Sequence, residues 1–118
     1  MCTAVRIVVA AVERDRRLEL RRAAVTAEWE VVGEAADPED AYREAVERRA
    51  RFLVLDASAA GPRPAAVARR VKTVNPNAFV VGVGEVDGLD ASVSAAELDR
   101  LREVMRDLLH SSGDHVHD

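Results

Sequence analysis

The chain has 118 residues, enough for one domain whose core needs neither disulfide nor metal to hold it. Apolar residues make up 48% and aromatics only 3%, so an aliphatic interior is expected, while 17 basic against 21 acidic residues argue against a dedicated nucleic-acid binder. The lone cysteine, Cys2, excludes an internal disulfide. The apolar start is too short to span a bilayer and carries no small-residue cleavage site, so no membrane association is expected and the cytoplasm is the expected compartment.

Val5 to Val12 is a continuous apolar, β-branched run, the pattern of a parallel strand covered on both faces. The stretch to about Ala27 places Leu18, Ala24 and Val25 among charges and suits an amphipathic helix. Arg14, Arg17 and Arg21 share one face of it, but Glu13 stands four residues before Arg17, an interleaving typical of a solvated surface rather than a basic binding stripe. Trp29 to Val32 supplies a second strand. Asp37-Pro38-Glu39-Asp40 then opens a helix to about Arg49: a carboxylate at the N-cap, proline where no amide is needed, and acids at the positive end of the dipole.

Phe52 to Leu55 reads as the third strand, Ala57 to Pro64 as a loop, and Ala65 to Val74 as a third helix that stops before the turn Asn75-Pro76-Asn77. Ala78 to Val83 is the fourth strand. Such alternation predicts a parallel sheet with helices on both faces, since parallel neighbours need long right-handed crossovers. Only a few residues separate Gly84 from Ala91-Ser92-Val93, the candidate fifth strand, which is too few for a crossover helix. Ser94-Ala95-Ala96-Glu97 has the form of a capping box and is expected to open a last helix through Leu109. Ser111 to Asp118 has no periodicity and is expected to be a mobile tail.

Residues Trp29 to Gly61, WEVVGEAADPEDAYREAVERRARFLVLDASAAG, resemble the second strand, second helix and third strand of a bacterial response-regulator receiver domain, a likeness that covers roughly four-fifths of the chain. The resemblance implies an α/β, flavodoxin-like, doubly wound parallel sheet of four to five strands that lacks the receiver's fourth helix. Residues 1–110 would form the domain and 111–118 the tail. It also implies that Asp56, after Phe52-Leu53-Val54-Leu55, stands where the family's phospho-acceptor does.

In that family two adjacent carboxylates at the end of the first strand help hold Mg²⁺, a lysine after the fifth strand pairs with the phosphoryl oxygens, and a threonine or serine after the fourth follows the phosphate. This chain puts Ala11 and Val12 at the acidic pair, with Glu13 and Asp15 displaced beyond the strand, and Gly84 at the hydroxyl position. Its single lysine, Lys72, falls in the third helix. A degenerate receiver, or pseudo-receiver, is therefore expected: Asp56 a vestigial acceptor, no cofactor, no resident metal and no enzymatic activity.

The expected function is a phosphorylation-independent regulatory module that acts through a protein partner or a homodimer. Similar degenerate receivers without that helix occur in clock proteins and at the front of pilus-localisation ATPases, which implies docking. One alternative is residual phosphorylation of Asp56, with Glu13 or Asp15 completing a weak metal site. Another is a small-ligand sensor whose emptied acidic pocket is lined by Ala11, Val12 and Gly84. The expected contact surface is the last helix, with Leu98, Leu101, Val104, Met105, Leu108 and Leu109, beside apolar surface uncovered by loss of the fourth helix.

Other signals carry less. Gly82 to Gly88 superficially suggests a dinucleotide loop, but its spacing is wrong and no helix follows. His110, His115, His117 and Asp118 form at most an opportunistic metal set, and no Ser/His/Asp or Cys/His catalytic arrangement is visible.

Overall fold

The computed structural model describes residues 5–117, with side chains described to residue 111. Cys2, Asp118 and the side chains of His115 and His117 lie outside that range. In chain order the elements are β1 (Val5–Ala10), α1 (Arg14–Ala24), β2 (Trp29–Ala35), α2 (Pro38–Glu47), β3 (Phe52–Asp56), α3 (Pro64–Val74), β4 (Phe79–Val83), β5 (Ala91–Val93) and α4 (Leu101–His117). All strand pairs are parallel, in the order β2-β1-β3-β4-β5.

The continuous apolar runs become the centre of the sheet. Ile7 to Ala10 and all of β3 are buried, because helices cover both faces. Strand periodicity then divides their side chains. Val8, Leu53, Leu55 and Val80 pack with α2 and α3, through residues such as Ala41, Ala45, Val67 and Val71. Ile7, Val9, Phe52, Val54 and Val81 pack with α1 and α4, through Leu20, Ala24, Leu101 and Met105. Phe52 lies between Trp29 and Phe79, with ring centroids 6.0 and 5.6 Å away.

Helix α2 starts as its sequence dictates. Asp37 Oδ1 accepts the Asp40 amide at 2.8 Å and Pro38 occupies the first turn. A two-pronged ion pair joins it to α3, with Arg70 donating to both oxygens of Glu39 at 3.1 and 3.2 Å. That hydrogen-bonded guanidinium holds the Glu39 carboxyl below its ordinary value. Strand β2 extends beyond Val32 to Ala35, with a register shift opposite Ile7 and Val8. Its polar edge residues Glu30 and Glu34 are exposed, which hides the strand from a search for apolar runs.

No helix stands between β4 and β5, as the short spacing requires. The connection does not, however, leave apolar surface open. Val86 is buried and Leu89 half-buried, and together they lie over Gly82. A Cβ at Gly82 would come within 2.9 Å of Leu89 Cδ1 and 3.0 Å of Val86 Cβ. Asp90 closes this strap: its carboxylate accepts the Val80 amide at 2.8 Å, its own amide donates to the Val80 carbonyl at 3.0 Å, and Lys72 pairs with its other oxygen. The uncovered surface expected beside β4 is thus filled by the strap.

The last helix also departs from expectation. Ser94 Oγ accepts the Ala96 amide at 3.2 Å, but Glu97 has φ −125° and ψ 47°, so residues 95–100 form a kinked 3-10 segment instead of a capping-box helix start. The α-helix begins at Leu101 and its backbone continues to His117, past Leu109. Leu101 and Met105 are fully buried in the core and cannot serve a contact surface. Leu98, Val104, Leu108 and Leu109 are half-buried against the same cluster.

Candidate site at the C-terminal end of the sheet

Asp56 ends β3 in the middle of the sheet, at the edge where the β1–α1 and β3–α3 connections meet. It is 7% exposed, the one buried charged residue among those described. A carboxylate so enclosed needs donors or a counter-charge, and the chain supplies both. Oδ2 accepts the Ser58 amide at 3.1 Å and the Ser58 hydroxyl at 2.6 Å, the local turn that an Asp-x-Ser spacing favours. Ser58 Oγ in turn accepts the Val12 amide at 3.1 Å, so one hydroxyl ties the two connections together.

The other oxygen faces an arginine. Arg16 Nε lies 3.7 Å from Asp56 Oδ1, and the same guanidinium reaches Glu19 at 3.3 Å. The next residue, Arg17, donates from one nitrogen to the carbonyls of Ala11 and Val12 at 2.8 and 3.1 Å. Its Nε pairs with Glu34 at 3.4 Å, and Arg21 reaches the second Glu34 oxygen at 3.0 Å. The arginines of α1 are therefore partly consumed inside the fold rather than forming a basic stripe.

The residues that a phosphorylation site would need are elsewhere or absent. Ala11 is fully buried and Val12 is 52% exposed, and neither side chain has an oxygen to ligate a cation. Glu13 and Asp15 are exposed, and neither carries a side-chain hydrogen bond or ion pair to another described residue. Lys72 is engaged by Asp90 on the strap. Gly84 has φ +93°, a left-handed conformation suited to glycine, and its amide donates to Val93 at 2.8 Å.

A Mg²⁺ ion requires several oxygen ligands in near-octahedral array. Here the buried carboxylate accepts from Ser58 and lies beside the positive charge of Arg16, and Ala11 and Val12 add no side-chain oxygen, so these residues do not fit the metal. Among the described residues no three His, Cys, Asp or Glu side chains converge on a metal position. Cavities of 460, 380, 320 and 240 Å³ are lined by residues other than Ala11, Val12 and Gly84.

Sequence reasoning found Asp56 from its place after an apolar strand, and missed Arg16, Arg17 and Ser58. Ser58 was signalled by the Asp-x-Ser spacing. The arginines had no signal beyond a charged run, because Asp56 and Glu34, the carboxylates that fix them, lie on other strands.

No protein-family model matches the chain, and no curated protein matches it. Its fold is similar to several solved structures. The REC domain of AraT, a response regulator from Geobacillus stearothermophilus, is 21% identical, with 95% of this chain and 98% of that one covered and a TM-score of 0.77. A LuxR-family two-component response regulator from an Aurantimonas species is 21% identical over 92% of this chain and 86% of that one, with a TM-score of 0.78. The response regulator domain of Thermotoga maritima CheB is 17% identical over 92% of each chain, with a TM-score of 0.66. The fold is that of a receiver domain, with five parallel strands and one helix fewer.

Proposed function

We propose that this receiver-like domain is a phosphorylation-independent regulatory module that works by contact with another protein or a second copy of itself. The observation that carries the reading is the state of the Asp56 carboxylate. A phospho-acceptor must present an oxygen to the incoming phosphorus, beside a metal and a lysine that neutralise the charge as it develops. Asp56 instead gives one oxygen to two donors of Ser58 and sets the other beside Arg16. The lysine is committed to the strap, and the metal ligands are replaced by Ala11 and Val12.

With that chemistry absent, output falls to the surface. The large apolar residues that stay exposed include Leu18 and Val25, at 43% and 40%, on and just after α1. Leu18 lies within α1, and Val25 is its C-cap, where the backbone has turned extended. We assign the contact surface to this side of α1 rather than to α4 alone.

Intact-mass analysis after incubation with acetyl phosphate and Mg²⁺ tests the chemical half of the proposal. The mass should not change. A phosphoryl adduct that disappears in Asp56→Asn would replace this reading with that of an atypical but working receiver.

A further inference from the structure

We propose that the Arg16 guanidinium is the resident cation of this site, taking beside Asp56 the electrostatic place of a divalent metal and so excluding that metal. The inference rests on the phosphorylation-independent reading and deepens it: it assigns the loss of metal binding to a residue outside the altered acidic positions.

Ala11 and Val12 explain why ligands are missing, but not what neutralises the carboxylate that remains. Asp56 is nearly enclosed, and a charge in that position is costly without an opposite charge close by. Arg16 is that charge, with Nε 3.7 Å from Oδ1. A guanidinium is more weakly hydrated than an ammonium group, so it tolerates a part-buried position at 30% side-chain exposure.

Arg17 completes the exclusion. Hard cations take oxygen ligands, including backbone carbonyls, and the carbonyls of Ala11 and Val12, in the connection that Ser58 ties to Asp56, both accept from Arg17. A metal entering beside Asp56 would meet the Arg16 guanidinium on the first turn of α1, while Arg17 binds those two carbonyls. Ser58, bonded to both Asp56 and the Val12 amide, then holds the connections in one arrangement without any ion.

The test restores one acid where Val12 is half exposed and asks whether Arg16 still keeps the metal out. Calorimetric titrations with Mg²⁺ compare the unaltered protein, Val12→Asp, and Val12→Asp combined with Arg16→Gln. The unaltered protein should show no binding, and the double variant should bind at least about tenfold more tightly than Val12→Asp alone, because screened repulsion from a guanidinium about 4 Å away has gone. Equal affinities in the two variants would overturn the proposal, as would Mg²⁺ binding to the unaltered protein.

Val12→Asp combined with Arg16→Met provides a second readout should that double variant fail to fold. Mn²⁺ should broaden its Ser58 amide resonance and leave that of the unaltered protein sharp; no broadening in the variant would also overturn the assignment. The acetyl phosphate experiment separates the two levels. A phosphoryl adduct on the unaltered protein defeats the functional reading, whereas equal Mg²⁺ affinities with no adduct defeat only the role given to Arg16.

Discussion

Ser58 illustrates how much of this site rests on single side chains. Its hydroxyl donates to Asp56 and accepts from Val12, so Ser58→Ala removes two hydrogen bonds and strips a donor from a buried carboxylate. We expect a loss of about 1–3 kcal/mol in chemical denaturation with an unchanged denaturant slope; an unaltered midpoint would show that the hydroxyl link is dispensable. Arg49 makes the opposite case. It follows the C-cap of α2 with φ 53°, its amide bonded to Val46 and that of Ala50 to Ala45, a helix ending that glycine occupies at less steric cost. Arg49→Gly should therefore stabilise the fold by about 1 kcal/mol, and a drop in the unfolding midpoint would mean that the arginine side chain contributes contacts that outweigh its backbone cost. At this scale the sequence was readable where a residue acts on its own neighbours, as Asp37 does at its helix start. It was silent where a residue reaches another connection, as Arg16 does to Asp56.

Among the elements, the strap between β4 and β5 shows the difference between predicting an absence and predicting its consequence. The residue count before Ala91 announces that no helix fits, but it does not reveal that Val86 and Leu89 would take the helix's place over Gly82. That depends on Lys72 and Asp90, which meet only after α3 and β4 have packed. Asp90→Ala leaves the Val80 amide without its acceptor and Lys72 without its partner. It should cost about 1–3 kcal/mol, and hydrogen exchange at Val80 should accelerate well beyond that at the central strand residue Val54; unchanged exchange would show that the strap is held by its apolar residues alone. The C-terminal helix failed at its boundary for a related reason. Ser94 to Glu97 satisfies the pattern of a capping box, yet Glu97 leaves helical geometry, and the buried residues Leu101 and Met105 fix where the true helix begins.

For the molecule as a whole, the proposed reading, a receiver-like fold without the chemistry of phosphorylation, makes association the means of action. The apolar face that the C-terminal helix displays in the sequence is largely spent on the core, and the proposed contact surface is centred instead on exposed Leu18 of α1 and Val25 just after it. Leu18→Glu should weaken self-association or partner binding in sedimentation experiments while leaving the circular dichroism spectrum intact; unchanged association would move the contact to another surface. The fold class was legible because strand and helix periods alternate cleanly and the sheet's centre is continuously apolar. The surface was not, because exposure is decided by which helices pack together. The central claim, that Asp56 is held by Ser58 and Arg16 in place of a phosphorylation cycle, is tested most directly by amide NMR spectra recorded with and without Mg²⁺ and beryllium fluoride. Superimposable spectra are expected, whereas shifts at Asp56, Ser58 and Gly84 that vanish in Asp56→Asn would contradict that arrangement.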